Sequence, residues 1–232
     1  CPTLVQNILA MRIKSILLPA VLFISLFACS QTGSKTKKAT AKKTTTAQPP
    51  GRLYLRSIMY ITTGKVDISW YYLGDDRSLV KNPKNGVQPV NIKAEKLNNN
   101  SNTGTYKITG SKIEIKWASG DVSVLPLKFK DGDISEMDIM GTMIRQKGLP
   151  KDFILSGDFK GFNNGGAYIF ESDGAFARSL NEDGEQVVKS GTFLVKGNNL
   201  ILTFSDGSKE QCLIALLDED LVINTSFYTA VD

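Results

Sequence analysis

Two stretches of 17 residues decide the fold: GTYKITGSKIEIKWASG at 104–120 and GTFLVKGNNLILTFSDG at 191–207. A shift of 87 places aligns them without a gap, with glycine on glycine and Trp117 on Phe204. Glycine supplies the positive φ that tight turns need, and alternating apolar residues set the inward face of a strand. The match therefore predicts that one turn-strand-turn-strand unit occurs twice in the chain.

The repeated unit has the periodicity of β-strands. Ile113, Ile115 and Trp117 alternate with charged residues, as expected of a strand that is buried on one face. Similar runs follow along the chain between Asp-Gly and Gly-Asn turns, and no stretch of 11 residues has helical periodicity. We therefore predict an all-β fold of antiparallel meanders that form a barrel or packed sheets. The two sequence-related units are residues 52–150 and 151–232.

The upstream parts of the two units correspond less closely. Trp70 to Gly74 resembles Phe170 to Gly174 at an offset of 100, which implies a 13-residue insertion in the first unit. The stretch from Lys81 to Asn102, with its prolines and its run of asparagines, is the place for this insertion. Such long loops are either functional or merely mobile, and we expect a mobile one.

The N-terminal region has the organisation of a secretory signal. Two basic residues follow Met11, and a 13-residue apolar run from Ile16 to Ala28 comes next. That length suits a signal peptide and falls short of the roughly 20 residues that span a bilayer. The end of the run, Leu26-Phe27-Ala28-Cys29, resembles the lipobox of bacterial lipoproteins. The resemblance implies that residues 1–28 are a signal peptide with an upstream extension, and that the thiol of Cys29 carries the lipid.

Residues 29–51 are predicted to be a lipidated cysteine followed by a flexible linker. From Ser30 to Gly51 the chain has no aromatic or large aliphatic residue. It therefore cannot bury enough apolar surface to offset the entropy of ordering, and as a disordered chain it would span about 25 Å. By resemblance to Gram-negative lipoproteins, a Ser rather than an Asp after the cysteine implies the outer membrane. The lack of an acidic run there favours the periplasmic face.

Charge and composition exclude several classes of function. Residues 1–51 contain seven of the 28 basic residues and none of the 23 acidic ones, so the remainder has a net charge of −2. A basic groove for nucleic acid is therefore not expected. The chain has no His and three Cys, which excludes Ser-His-Asp and Cys-His catalysis, His-ligated zinc and a disulfide framework. We predict no catalytic residue, no cofactor and no metal.

The stretch YIFESDG from Tyr168 to Gly174, followed by Gly-Thr-Phe and an Asp-Gly hairpin, resembles the lipocalin-like domains of uncharacterised bacterial lipoproteins. The resemblance covers most of residues 152–228. It implies a β-barrel and allows a second function, that of a carrier for a small apolar ligand.

Three consecutive aromatic residues are the candidate ligand contacts. On a strand, Tyr71 lies on the face opposite Trp70 and Tyr72, so one face can join the core while the other presents a ring to a ligand or a glycan. We expect one of these rings to be exposed.

Other candidate groups have simpler explanations. Met137, Met140 and Met143 could offer soft ligands to Cu(I), but core packing explains them better. Acidic clusters lie where hairpin turns are expected and lack EF-hand spacing. Cys212, among aliphatic residues, is expected to be a buried small residue.

The sequence thus favours a lipid-anchored, non-enzymatic binding or scaffold module of the cell envelope, attached to the membrane through its lipid. Its ligand would be a small apolar molecule or an envelope glycan. Another alternative is a carboxylate-based hydrolase of envelope glycans, with Asp67 and Glu171 as conceivable partners.

Overall fold

The computed structural model describes residues 51–87, 90–162, 166–182, 185–217 and 219–231. The predicted signal peptide, Cys29 and the linker up to residue 50 lie outside the described residues. The described chain is all-β and forms two antiparallel units, which confirms the predicted fold class.

Each unit closes into a barrel of eight strands. The first barrel consists of β1 (Gly51–Tyr60), β2 (Lys65–Gly74), β3 (Ser78–Lys81), β4 (Thr103–Thr109), β5 (Lys112–Trp117), β6 (Val122–Lys130), β7 (Asp133–Met137) and β8 (Thr142–Gln146). The second consists of β9 (Gly157–Gly161), β10 (Ala167–Phe170), β11 (Ala175–Glu182), β12 (Glu185–Lys196), β13 (Asn199–Phe204), β14 (Lys209–Leu217), β15 (Asp220–Ile223) and β16 (Ser226–Ala230). Strand β8 pairs with β1, and β16 pairs with β9, so closure leaves no free sheet edge.

The repeat at an offset of 87 is confirmed by strand register. Gly104 pairs with Trp117 in the first barrel as Gly191 pairs with Phe204 in the second. A Cβ atom at the first glycine would lie 2.4 Å from a carbonyl oxygen of the neighbouring strand, and at the second 2.0 Å. The two glycines therefore match because, at both places, only a hydrogen atom fits against the adjacent backbone.

The predicted offset of 100 in the upstream halves is wrong. Tyr71 and Leu73 point into the first barrel as Tyr168 and Phe170 point into the second, which gives an offset of 97. An offset of 100 places Trp70, which faces outward, on Phe170, which faces inward. Since the offset falls from 97 to 87 across the excursion, the insertion is ten residues long instead of 13.

The excursion from Lys81 to Asn102 is folded over its described residues, so the expectation of a mobile loop is wrong. It contains the helix α1 (Ile92–Asn98) and a three-residue 3-10 turn after it. The side chain of Glu95 is fully buried, and its Oε1 accepts hydrogen bonds from the backbone N–H groups of Lys84 and Asn85 at 2.9 and 2.7 Å. A buried carboxylate satisfied in this way ties the first part of the excursion to the helix α1.

Apolar side chains form three clusters: one inside each barrel, and a third between the barrels. The third cluster joins the outer faces of β1, β2 and β3 to those of β14 and β15. Its buried members are Leu53, Leu55, Ile68, Trp70, Tyr72, Val80, Val87, Val90, Leu213, Ala215 and Val222. Across this contact the indole N–H of Trp70 donates to the carbonyl of Asn224, and the backbone N–H of Val87 donates to the Asn199 side chain at 2.9 Å.

The first barrel does not carry an equivalent apolar face. Ala215 and Val222 form a cross-strand pair within the contact between the barrels. At an offset of 87, Ala215 corresponds to Lys128. Lys128 pairs across the strands with Glu136, and their side chains form an ion pair at 2.8 Å.

We predict that Gly104→Ala and Gly191→Ala each lower the free energy of unfolding by about 1–3 kcal/mol, because the added methyl group must displace a neighbouring strand. Urea denaturation followed by circular dichroism measures the effect. The matched control is Thr105→Ala, at an exposed position next to the first glycine. Equal stability of the glycine variants and the control would show that the strands can separate freely at these places.

Candidate functional site

The two barrels differ at the end where their first strand begins, which we call the upper end. In the second barrel, the connecting segment of residues 147–156 covers this end. Its side chains Leu149, Phe153 and Leu155 pack against the interior cluster, and the N–H of Leu149 donates to the carbonyl of Gly197 at 3.2 Å. The interior of the second barrel is therefore closed at its upper end.

The upper end of the first barrel contains an open cavity of about 420 Å³, which we call the mouth. It lies where β1 begins, where β2 ends, along β4, and around the β6–β7 turn. The lining residues are Arg52, Tyr54, Leu73, Asp75, Arg77, Tyr106, Lys107, Ile108, Phe129 and Ile134. The volume falls within the range of small-molecule sites, and the lining combines an apolar floor with a polar rim.

Asp133 organises one side of the mouth. Its Oδ1 accepts hydrogen bonds from the Tyr54 hydroxyl and from Arg145, both at 3.1 Å, and Arg52 lies 3.5 Å away. Desolvation raises the pKa of Asp133, but the hydrogen bonds from Arg145 and Tyr54 and the charges of both arginines outweigh it, so this pKa lies below its ordinary value. The carboxylate is thus ionised at neutral pH and holds Arg52 and Tyr54 in place.

The opposite side of the mouth has cations without a counter-ion. The hydroxyl of Tyr106 donates to the carbonyl of Gly74 at 3.0 Å, which fixes this ring at the rim. Arg77 has a φ of 67°, in the left-handed region, and its backbone is held by hydrogen bonds to Gly74 and Tyr106. Within the described part of the chain, neither Arg77 nor Lys107 forms an ion pair. The lining holds three cations and Asp75, a net charge of +2.

The three consecutive aromatic residues do not lie at the mouth. Trp70 and Tyr72 are buried in the contact between the barrels, and Tyr71 is buried inside the first barrel. The expectation of one exposed ring is therefore wrong, since the second barrel covers the face that the sequence pattern left open. A contact between these residues and a ligand stays a prediction.

The remaining sequence candidates do not converge. Asp67 and Glu171 are both exposed, one in each barrel. Met137 and Met143 are buried in the interior of the first barrel, while Met140 is exposed. Among the described residues, no group of three or more His, Cys, Asp or Glu side chains could hold a metal ion.

A buried arginine in the second barrel is not among the residues predicted from the sequence. Arg178 donates to Glu210 at 2.8 Å and to the hydroxyl of Tyr168 at 3.3 Å, and its guanidinium lies 5.0 Å from the centre of the Phe204 ring. Its Nε has no hydrogen-bond partner in the described structure. The corresponding residue of the first barrel, at an offset of 97, is Lys81. It lies 6.0 Å from the centre of the Tyr71 ring, as Arg178 lies 5.9 Å from the centre of the equivalent Tyr168 ring. The repeat therefore preserves a cation-π contact, which the offset of 97 could have revealed.

Cys212 lies beside this arginine and is buried, as the sequence predicts. Its Sγ donates to Glu210 at 3.3 Å. Burial, together with the neighbouring carboxylate, raises the pKa of the Cys212 thiol to about 12. At neutral pH the group is a protonated thiol, the unreactive form.

We predict that Cys212 does not react with Ellman's reagent in the folded protein and reacts fully in 6 M guanidinium, because burial and the raised pKa both suppress the thiolate. The test uses the Cys1→Ala, Cys29→Ala chain, in which Cys212 is the only thiol. Absorbance at 412 nm measures the reaction. Rapid labelling of the folded chain would show that the interior of the second barrel is open to solvent.

Comparisons with known proteins leave the function open. The chain matches no protein-family model, no curated protein and no solved structure. None of the helices in the described ranges is long and apolar enough to cross a bilayer. The chemistry of the mouth is therefore the main guide to function.

Proposed function

We propose that this protein is a lipid-anchored, non-enzymatic binding module of the cell envelope, and that it binds a small anionic ligand at the mouth of the first barrel. The observation that supports this proposal most directly is the contrast between the two upper ends. One end is covered by apolar side chains, and the other is an open cavity with a net charge of +2. An open cavity with unpaired cations suits a carboxylate or phosphate group.

The arrangement of the rim supports recognition of an anion. Asp133 forms ion pairs with both Arg52 and Arg145, so these arginines already have an acidic partner. Arg77 and Lys107 have no such partner in the described chain and remain available. The hydroxyls of Tyr54 and Tyr106 are held at fixed positions and complete a polar rim above the apolar floor.

The anchoring half of the proposal rests on the lipobox-like Leu26-Phe27-Ala28-Cys29 and on the linker that follows it. An acylated Cys29 would hold the barrels at the outer membrane of a Gram-negative bacterium, on the periplasmic face. Stable attachment requires two or more acyl chains, which bacterial lipoproteins carry at this cysteine.

The alternative functions draw less support from the structure. A carrier of an apolar ligand needs a deep cavity, but Ile113 and Ile115 fill the first barrel, and Leu200 and Leu202 fill the second. All four side chains are fully buried. A hydrolase needs two carboxyl groups in one cleft, and no observed geometry brings Asp67 and Glu171 together.

For the anchor, we predict that the protein incorporates an alkyne fatty-acid analogue in a Gram-negative host, and that Cys29→Ala abolishes the label. The acyl chains attach through the Cys29 thiol, which the variant lacks. In-gel fluorescence after coupling to an azide dye measures incorporation.

The matched control is Cys212→Ala, which removes a buried thiol and should leave the label unchanged. Label that persists in Cys29→Ala would place the acyl group elsewhere and refute the anchor.

For the mouth, we predict that the purified mature protein binds inorganic phosphate in a saturable way, and that the double variant Arg77→Gln, Lys107→Gln weakens this binding at least about tenfold. The reason is the loss of two cations with no counter-charge, since the loss of even one charged hydrogen bond costs about 1.5–3 kcal/mol and each 1.4 kcal/mol is a factor of about ten. Amide chemical shifts in an NMR titration give the dissociation constant.

The control is Lys151→Gln, Lys160→Gln, which removes the same charge from exposed positions outside the first barrel. An equal loss in the control would show that net charge alone attracts phosphate, and the mouth would then have no special role.

A further inference from the structure

The lower end of the first barrel, opposite the mouth, exposes a cluster of large apolar side chains. They lie at the end of β1, on the β1–β2 turn and on the β7–β8 turn, and we call them the apolar tip. The members and their exposed fractions are Ile61 (89%), Ile139 (75%), Met59 (66%), Met140 (65%) and Tyr60 (44%). Single exposed apolar residues are ordinary, but a contiguous group on a monomer marks an interaction surface.

The strand register brings the two turns together. The ladder between β1 and β8 ends at the pair Ser57 and Thr142. The next residues on both strands lead directly into the β1–β2 turn and the β7–β8 turn. Counted on from that pair, Met59 and Met140 occupy matching positions just beyond the end of this ladder, so the five side chains project at the same end of the barrel.

The backbone of the second turn is strained. Met140 has a φ of 69° and Asp138 a φ of 66°, in the left-handed region that favours glycine or asparagine. A long apolar side chain there is costly in backbone energy and is also exposed to water. Such conformations persist where the surrounding structure fixes them, and they cluster at functional sites. The Met140 side chain itself is exposed and does not pack in the interior of the barrel.

We propose that the apolar tip inserts into the interface of the bilayer to which the protein is anchored. This inference rests on the proposed anchor at Cys29, which keeps a bilayer within reach. Five projecting side chains are too few for a stable protein–protein interface, which needs about 20–30 residues from each partner. They suit shallow insertion among lipid headgroups, where the anchor already supplies the attachment.

The linker is long enough for this arrangement. Gly51 lies at the upper end of the barrel, and β1 runs ten residues from there to the apolar tip, about 34 Å. The 22 residues from Ser30 to Gly51 can extend to roughly 75 Å, at 3.3–3.6 Å per residue. The linker can therefore pass alongside the barrel. The inserted tip then turns the mouth away from the membrane, toward ligands in the aqueous phase.

The test uses the mature acylated protein in vesicles of phosphatidylethanolamine and phosphatidylglycerol, with the environment-sensitive fluorophore NBD at a single introduced cysteine. One label is placed by Thr62→Cys, next to Ile61 of the apolar tip, and the matched one by Ser111→Cys on the β4–β5 turn at the upper end. Both positions are exposed, and Cys212 is buried. Brominated lipids quench fluorophores that lie near the acyl chains.

We expect brominated lipid to quench the label at position 62 about threefold more than the label at position 111, because an inserted tip lies about 5–10 Å into the headgroup boundary. Adding Ile61→Asp and Met140→Asp should remove this difference while the protein stays with the vesicles. The control pair Val124→Asp and Leu194→Asp, on exposed strand faces, should leave it unchanged.

Each contrary result has a separate meaning. If the protein does not sediment with vesicles, the proposed anchor fails, and the insertion fails with it. If the protein sediments but the label at position 111 is the one quenched, the mouth faces the membrane and the insertion alone is overturned. The insertion alone is also overturned if neither label is quenched. If gel filtration then shows a dimer, and Ile61→Asp and Met140→Asp dissociate this dimer, the apolar tip is a self-association surface.

Discussion

The arrangement of this protein depends on a strand with no solvent-facing side. From Ile68 to Gly74 every residue of β2 is buried, because one face packs inside the first barrel and the other against the second. A strand of an isolated small barrel normally turns its outer face to water. Trp70 is the clearest case, since its ring is fully buried and its indole N–H donates to the second barrel. The contact therefore joins two closed barrels into one body and keeps the mouth in a fixed position on it.

Much of this fold could be predicted from the sequence, because local rules fix it. Glycines in tight turns and alternating apolar residues recur at an offset of 87, and the register of Gly104 with Trp117 follows them. Each sheet closes because its first and last strands pair. No local sequence pattern indicates this long-range pairing. The predicted offset of 100 between the upstream parts of the two units was wrong for a related reason. The offset of 100 matches one aromatic residue with another. Side chains alternate between the two faces of a strand, however, and Trp70 lies outside the first barrel whereas Phe170 lies inside the second.

The candidate site could not be predicted in the same way. The mouth draws residues from five strands and from the turns between them, and they become neighbours only when the barrel closes. Arg178 and Glu95 were missed because a charged residue in an alternating or polar stretch looks solvent-exposed until its partners are known. The three consecutive aromatic residues led to the opposite error, because one ring was expected to be exposed and all three are buried. Their pattern indicated a free face, and that face is covered by Leu213, Ala215 and Val222, which lie more than 140 residues further along the chain.

The ion pair of Lys128 with Glu136 has a consequence for the evolution of the duplication. The barrels meet through different faces, β1–β3 of one against β14 and β15 of the other, so the contact is head-to-tail. Identical units joined in that manner can add further copies without limit, as fibres do. In the first barrel, the place equivalent to Ala215 holds Lys128 and its acidic partner, and this charged pair cannot be buried cheaply against a third unit. The charged pair therefore disfavours the packing of a third barrel against this face of the first.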